Sequence, residues 1–92
     1  MVERHIVVLN RLGLHARAAA RLVRTASAFR SSVRLERQDR SASADAKSIL
    51  SVLMLAASRG TPLRAVAEGA DEEAAVAAVC ELITSGFGEG WE

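Results

Sequence analysis

Residues 33–55, VRLERQDRSASADAKSILSVLML, predict the centre of the fold, a β-hairpin followed by a helix. Val33 and Leu35 alternate with charged neighbours, which is typical of a strand with one buried face. Residues 38–40 form the predicted turn, and residues 41–44 a short return strand of weak strand propensity. Asp45 then signals a helix that starts near Lys47 and ends before the Gly and Pro of residues 60–62.

On the N-terminal side of this stretch, residues 2–9 are rich in β-branched side chains and predict a strand partly buried on both faces. Residues 16–29 predict a helix, because apolar side chains recur near every 3.6 positions. Its apolar stripe is Ala19, Ala20, Leu22, Val23, Ala26 and Phe29. Residues 63–68 alternate and predict a last strand.

Gly69 and Ala70 lead into a third helix whose first turn holds acidic residues 71–73, which suit the positive end of a helix. Its predicted buried stripe is Val76, Val79, Cys80 and Ile83, and Gly86 is its predicted stop. The order β-α-β-β-α-β-α predicts an α+β fold, a four-stranded, mainly antiparallel sheet with three helices on one face.

Composition narrows the function classes. Ninety-two residues fit one domain with a modest core, and a hydrophobic fraction of 50% excludes intrinsic disorder. The longest apolar run, residues 49–57, falls short of the roughly 20 residues of a membrane helix. A single cysteine, Cys80, interpreted as an inert core thiol, predicts a cytoplasmic protein without an internal disulfide. A net charge of +1 argues against a dedicated nucleic-acid binder, and two separated histidines against a metal cluster.

The stretch GLHAR, residues 13–17, is the most informative motif. It places the His15 imidazole at the start of a helix, where unpaired N–H groups and a partial positive charge attract anions. A phosphoryl group on His15 would lie against the N–H groups of Ala16 and Arg17, with the Arg17 guanidinium adding a charge-assisted contact. The positive helix end also favours a neutral imidazole. An ordinary exposed cap is the alternative interpretation of His15.

The second helix predicts a docking surface. Its apolar residues surround more than one face, so some should stay exposed and contact a partner. Arg17, Arg21 and Arg24 recur on one face of the first helix and suit acidic partners, although a merely solvated face is as plausible. The residues predicted to contact partners are Ala20, Arg21, Arg24, Lys47, Ile49, Leu50, Leu53 and Met54. Ser48, in the first turn of the second helix, is a predicted regulatory phosphorylation site, and an ordinary serine at a helix end is the alternative interpretation.

These motifs together resemble the HPr family, the histidine phosphocarriers of the bacterial phosphoenolpyruvate-dependent phosphotransferase system. The resemblance rests on GLHAR, on AKSIL at residues 46–50 and on GADEE at residues 69–73, and covers roughly residues 2–88. It implies an open-faced β-sandwich and no cofactor. It implies that His15 accepts a phosphoryl group at Nδ1 from enzyme I and passes it to an EIIA protein. It also implies that Arg17 contacts the phosphate and that an HPr kinase/phosphorylase modifies Ser48 in some bacteria.

The chain departs from the commonest family pattern at three positions. Ala18 follows the arginine where proline is usual, which resembles the nitrogen-branch relative NPr and some proteobacterial members, so sugar uptake and nitrogen regulation both stay open. Leu12 stands where many members have a small polar residue, and Ser51 where a glycine is common.

We expect a carrier rather than an enzyme, monomeric, with a domain at residues 1–88. The glycine-rich end of the chain, residues 87–92, predicts a flexible tail, bounded most narrowly at residues 89–92. The alternative function is an interaction module of the same fold that is never phosphorylated. An RNA binder is a weaker alternative, because stacking aromatic residues are scarce.

Overall fold

The structure is a computed structural model that describes residues 1–88. Its four strands are β1 (Val2–Val7), β2 (Ser32–Arg37), β3 (Ser43–Asp45) and β4 (Pro62–Glu68). Its helices are α1 (Ala16–Ser27), α2 (Ile49–Met54) and α3 (Glu72–Thr84), followed by a 3₁₀ turn at Gly86–Gly88. This is the element order that the sequence predicts.

The strands form one antiparallel sheet in the order β1-β4-β2-β3. Strand β4 lies in the middle, where Ala65 pairs with Arg4 of β1 on one side and with Leu35 of β2 on the other. The hairpin of β2 and β3 pairs Leu35 with Ala44. Because side chains alternate across a strand, one face is apolar and is covered by the three helices. The predicted α+β fold, an open-faced sandwich, is confirmed.

Small aliphatic side chains build the core. Strands β2 and β4 contribute Val33, Leu35, Leu63, Ala65 and Ala67, all buried. The helices add Ala18, Ala19, Leu22 and Ala26 from α1 and Ala75, Val76, Val79, Cys80 and Ile83 from α3. Each fully buried Leu, Ile or Val contributes about 1.5–3 kcal/mol of hydrophobic transfer free energy. Burial raises the pKa of the Cys80 thiol, in keeping with a core residue.

Two strand predictions need correction. Strand β1 is an edge strand that ends at Val7 rather than at residue 9, and it is not buried on both faces, because Val7 points to the exposed face. Strand β3 begins at Ser43 rather than at residue 41. The Asp39 carboxylate accepts hydrogen bonds from the N–H and hydroxyl of Ser41, at 2.9 and 2.6 Å, and so keeps Ser41 in the turn.

Two helix predictions also need correction. Helix α1 ends at Ser27, two residues early, because the Ala28 and Phe29 amides turn back to carbonyls three residues before them. Helix α2 begins at Ile49, not near Lys47, and ends at Met54. Asp45, predicted to begin α2, instead ends β3, and its carboxylate accepts from the Lys47 N–H at 2.9 Å.

Asp71 joins the start of α3 to the loop between α1 and β2. It precedes the first turn, which contains Glu72 and Glu73. Its carboxylate accepts from the Ser31 hydroxyl (2.6 Å) and from the amides of Ser31 (2.9 Å) and Arg30 (3.0 Å). The Ser31 hydroxyl first, and then these amides, lower the pKa of Asp71 to about 2. The ionised carboxylate therefore holds the two loops together.

The chain after α3 is not the flexible tail that its glycines predict, as far as residue 88. Gly86 ends the helix as predicted, with a φ of 68°. Phe87 then turns inward and is 0% exposed, and its carbonyl accepts a hydrogen bond from the Arg21 guanidinium. The prediction was wrong at Phe87, because its phenyl ring packs into the hydrophobic core and no local pattern reveals this packing. Residues 89–92, the rest of the predicted tail, lie outside the described part.

Candidate functional site

His15 caps the N-terminus of α1 with its own side chain. Its backbone is extended, with φ −72° and ψ 178°, and its carbonyl accepts from the Ala19 N–H at 2.8 Å. Its Nδ1 accepts from the Arg17 N–H at 3.3 Å. An imidazole thus takes the role that Ser, Thr, Asp or Asn usually plays at this position. The ring is half-exposed, so one edge contacts the helix end while the site remains open to solvent.

A tight loop sets the direction in which His15 leaves the sheet. Gly13 has a φ of 64°, and a Cβ there would lie 2.6 Å from the Ala57 carbonyl oxygen and 2.8 Å from the Ser58 Cα. Only glycine fits this approach. The next residue, Leu14, is buried and donates its N–H to the Ala57 carbonyl at 2.9 Å. His15 therefore follows a residue that is anchored both by packing and by its backbone.

The orientation of the ring has a chemical consequence. A nitrogen that accepts a hydrogen bond carries its lone pair, and the same lone pair is the nucleophile in a phosphoryl transfer. At His15 this nitrogen is Nδ1, and it faces the end of a helix where N–H groups and the dipole favour negative charge. The predicted contact of a phosphate with the Arg17 N–H has a geometric basis here, whereas the part of Ala16 stays a prediction.

The three arginines of α1 are exposed, as a solvated face or a docking rim requires. Arg21 differs from Arg17 and Arg24 because its guanidinium also donates to the Phe87 carbonyl. It therefore holds the end of the described chain against α1. The neighbouring Ala20 is half-buried.

Helix α2 presents an apolar surface. Val52 and the capping residue Leu55 point into the core. Leu50 and Met54 are 66% and 72% exposed, and Ile49 and Leu53 are also exposed. The predicted exposure of part of this helix is confirmed, and its use in docking stays a prediction. We call these four exposed residues the α2 patch.

Ser48 and Lys47 occupy defined positions beside the α2 patch. Ser48 is the N-cap of α2 rather than part of its first turn, and its Oγ accepts from the Ser51 N–H at 3.3 Å. The Ser51 hydroxyl in turn accepts from the Asp45 N–H at 3.1 Å, so Ser51 ties α2 to β3. The Lys47 ammonium, which was predicted to contact partners, donates to the Phe29 carbonyl at 2.8 Å. One of its N–H groups is therefore already used within the protein.

Sequence reasoning missed Arg37. This residue ends β2, and its Nη1 donates to the carbonyls of Leu55 and Ala56, at 3.3 Å each, just beyond α2. Nothing in the local pattern distinguishes it from the other surface arginines, since the contact spans 18 and 19 positions.

Arg37 also lines an open groove of about 630 Å³ at the edge of the helix-free face. The groove does not include His15. For the carrier function that the sequence predicts, an exposed helix end suits delivery of a reactive atom to other proteins better than a pocket does.

Residues 1–88 contain neither a metal-ligand group nor a membrane-spanning helix. No group of three His, Cys, Asp or Glu side chains in that range is arranged to hold a metal ion. Within the same residues, no helix has the length and apolar character needed to cross a membrane.

The amino-acid sequence of the chain is similar to those of known proteins. Residues 2–85 match the family PTS-HPr, described as the PTS HPr component phosphorylation site. The chain is 46% identical over 89 residues to the phosphocarrier protein HPr of Xylella fastidiosa strain 9a5c, covering 97% of this chain and 98% of that protein. It is 47% identical over 85 residues to the HPr of Pseudomonas aeruginosa, covering 92% of this chain and 93% of that protein.

The fold agrees with the sequences. The crystal structure of HPr-C-His from Thermoanaerobacter tengcongensis superposes with a TM-score of 0.90 at 43% identity, covering 98% of this chain and 99% of that one. Fold and sequence together define a small carrier protein with an open-faced sheet. The chain belongs to the HPr family, the phosphocarrier proteins of the phosphotransferase system.

Proposed function

We propose that His15 is the phosphoryl carrier of this protein: its Nδ1 accepts a phosphoryl group from phospho-enzyme I and delivers it to an EIIA protein. The observation that supports this proposal is the position of Nδ1 on the first-turn amide of α1, 3.3 Å from the Arg17 nitrogen. The carrier acts as a cytoplasmic monomer, and the proposal holds for the sugar branch and for the nitrogen branch, since an EIIA protein is the acceptor in both.

Phosphoryl transfer to His15 changes the hydrogen-bond partner of the Arg17 N–H from Nδ1 to a phosphoryl oxygen. The Nδ1 lone pair attacks phosphorus, the bond from phosphorus to the donor breaks, and its electron pair leaves with the donor. The Arg17 N–H then donates to a phosphoryl oxygen instead of Nδ1, and the exposed Arg17 guanidinium adds a second contact. The helix end stabilises the new negative charge by about 0.3–1 kcal/mol. This modest gain lets the group leave again to the next protein.

Labelling tests the proposal. Incubation with phosphoenolpyruvate and enzyme I is expected to add one phosphoryl group per chain, a mass increase of about 80 Da. The modification should be labile in acid and stable in base, as expected for a phosphohistidine. The alternative, an interaction module that is never phosphorylated, predicts an unchanged mass. An unchanged mass with active enzyme I would therefore reject the carrier function.

Docking of both partners on the α2 patch and on Arg21, Arg24, Ala20 and Lys47 completes the proposal. Apolar side chains on α2, with arginines on the neighbouring helix α1, suit a partner surface with an apolar centre and acidic groups beside it. No role in nucleic-acid binding follows from this surface.

Leu50→Glu is expected to raise the KM for phospho-enzyme I about thirtyfold, since burying an unpaired carboxylate in an apolar interface costs 2 kcal/mol or more. Because Leu50 is exposed, the stability of the isolated carrier should change little. Steady-state transfer kinetics measure the effect. Val7→Glu, an exposed apolar residue on the opposite face of the sheet, is the matched control. Equal KM values for the two variants would remove the α2 patch from the interface.

Ser48 is proposed as a regulatory site for an HPr kinase/phosphorylase. A phosphate there adds about −1.5 to −2 charges beside the α2 patch, where it opposes the acidic groups of the partner. Ser48→Asp adds one charge and still caps α2, since Asp is as good an N-cap as Ser. We expect transfer from phospho-enzyme I to slow about tenfold. Ser43→Asp, an exposed site on β3, is the control. Wild-type transfer by Ser48→Asp would reject charge-based regulation.

A further inference from the structure

Residues 55–57, which follow α2, are held by hydrogen bonds from other parts of the chain. The Leu55 and Ala56 amides close the helix on the carbonyls of Val52 and Leu53. The next three carbonyls all accept from elsewhere in the chain. Arg37 Nη1 donates to those of Leu55 and Ala56, at 3.3 Å each, and the Leu14 N–H donates to that of Ala57 at 2.9 Å. Residues 55–57 are therefore fixed between the end of β2 and the residue that precedes His15.

This segment contains a strained residue. Ala56 has a φ of 52°, in the left-handed region that residues with a Cβ avoid. Such a conformation persists only where its surroundings hold it. Arg37, which donates to the carbonyl of Ala56 itself, is one of the groups that hold it. Without that contact, the segment is expected to relax toward an ordinary backbone conformation and to shift the end of α2.

Arg37 is itself firmly placed. Its backbone pairs with Leu63 of the central strand β4, and its N–H donates to the Ala42 carbonyl at 3.0 Å. Its Nε lies 3.5 Å from the Asp39 carboxylate, which orients the guanidinium. The side chain thus transfers the rigidity of the sheet to the C-terminal end of a helix of only six residues.

We infer that Arg37 is a positioning residue for phosphoryl transfer. By holding residues 55 and 56, it fixes the end of α2 that carries Leu53 and Met54 relative to the loop that carries His15. A partner docked on the α2 patch then presents its reacting atom to Nδ1 in line. This inference rests on the proposed function, because it assigns Arg37 to the alignment of docked partners and not to phosphate or partner contact.

The test uses Arg37→Met, which keeps an unbranched stem and removes the donors. The rate of transfer from saturating phospho-enzyme I is expected to fall about tenfold, since a displacement near 1 Å misaligns the reacting atoms. The KM should change less than about threefold, because the α2 patch itself is intact. Arg40→Met, which removes an exposed guanidinium from the same hairpin, is the control and should transfer like wild type.

Rescue separates positioning from a contact with the partner. Glycine adopts a positive φ without strain, so Ala56→Gly is expected to restore most of the rate in the Arg37→Met background. A direct contact of Arg37 with the partner predicts no rescue, and that outcome would overturn the inference. Wild-type transfer by Arg37→Met would overturn it equally. If Arg37→Met does not fold, Arg37→Lys replaces the guanidinium fork by one ammonium and is expected to lose less of the rate, with the loss again restored by Ala56→Gly.

The two proposals fail in different ways. If wild-type protein takes up no phosphate, the proposed function fails before Arg37 is tested. If wild type is labelled and Arg37→Met is as fast, only the role of Arg37 fails. Amide hydrogen exchange at residues 55 and 56 gives a readout that needs no partner, and we expect it to rise in Arg37→Met and not in Arg40→Met.

Discussion

His15→Ala is expected to carry no phosphate after incubation with phosphoenolpyruvate and enzyme I. The variant removes the nitrogen that the structure directs at the first turn of α1, and a methyl group offers no lone pair to phosphorus. Intact-protein mass spectrometry measures the outcome directly. The fold should persist, since His15 is half-exposed and its Nδ1 makes a hydrogen bond of 3.3 Å to the Arg17 amide. Losing an N-cap costs about 1 kcal/mol.

The second histidine of the chain supplies the control. His5 is exposed on the helix-free face of the sheet, where it pairs with Arg64 across β1 and β4. His5→Ala is expected to be labelled as fully as wild type. Full labelling of His15→Ala, or loss of labelling in His5→Ala alone, would assign the phosphate to a different residue from the one proposed.

Phe87→Ala is expected to lower the free energy of unfolding by about 3–5 kcal/mol, the usual cost of truncating a buried phenyl ring. Phe87 is 0% exposed and lies in a core that, within residues 1–88, is otherwise built from aliphatic side chains and Cys80. Chemical unfolding followed by circular dichroism measures the loss.

Phe29→Ala is the matched control for this change. Phe29 is only half-buried, packed at the edge of the core after α1, so its truncation should cost clearly less. Equal losses for the two variants, or a loss below about 1 kcal/mol for Phe87→Ala, would show that Phe87 behaves as part of the flexible tail predicted for residues 87–92.

Phe87 also shows where sequence reasoning ends. Strands β2 and β4 follow from their alternation, and α1 and α3 from their 3.6-residue period, because each pattern repeats over several residues. A single aromatic residue between two glycines has no period. Its burial depends on packing in the hydrophobic core, which brings together residues that are distant in the chain, and the sequence does not contain that information in local form.

The start of α2 was predicted wrongly for a related reason. Asp and Ser are both good N-cap residues, and the prediction took Asp45 as the start and placed Ser48 in the first turn. In the structure Asp45 already belongs to β3 through its pairing with Arg34, which leaves Ser48 to cap the helix. Tertiary pairing therefore decided between two equivalent local signals.

The candidate site was more predictable than these boundaries. The order glycine, apolar anchor, histidine, helix start is local, and it was sufficient to place His15 on the end of α1. The contact of Arg37 with the end of α2 was not predictable, because it joins residues 18 and 19 positions apart through a long flexible side chain. The sequence therefore predicts the local environment of His15. The position of His15 relative to α2 depends on long-range contacts that only the folded structure shows.

The proposed function requires that one particular atom, Nδ1 of His15, takes up phosphorus. Nitrogen-15 NMR of histidine-labelled protein, recorded before and after phosphorylation, identifies that atom through its one-bond coupling to phosphorus. We predict the coupling at Nδ1 of His15, together with a large shift of the Arg17 amide signal as its hydrogen bond moves from nitrogen to phosphoryl oxygen. Coupling at Nε2, or at His5, would contradict the account.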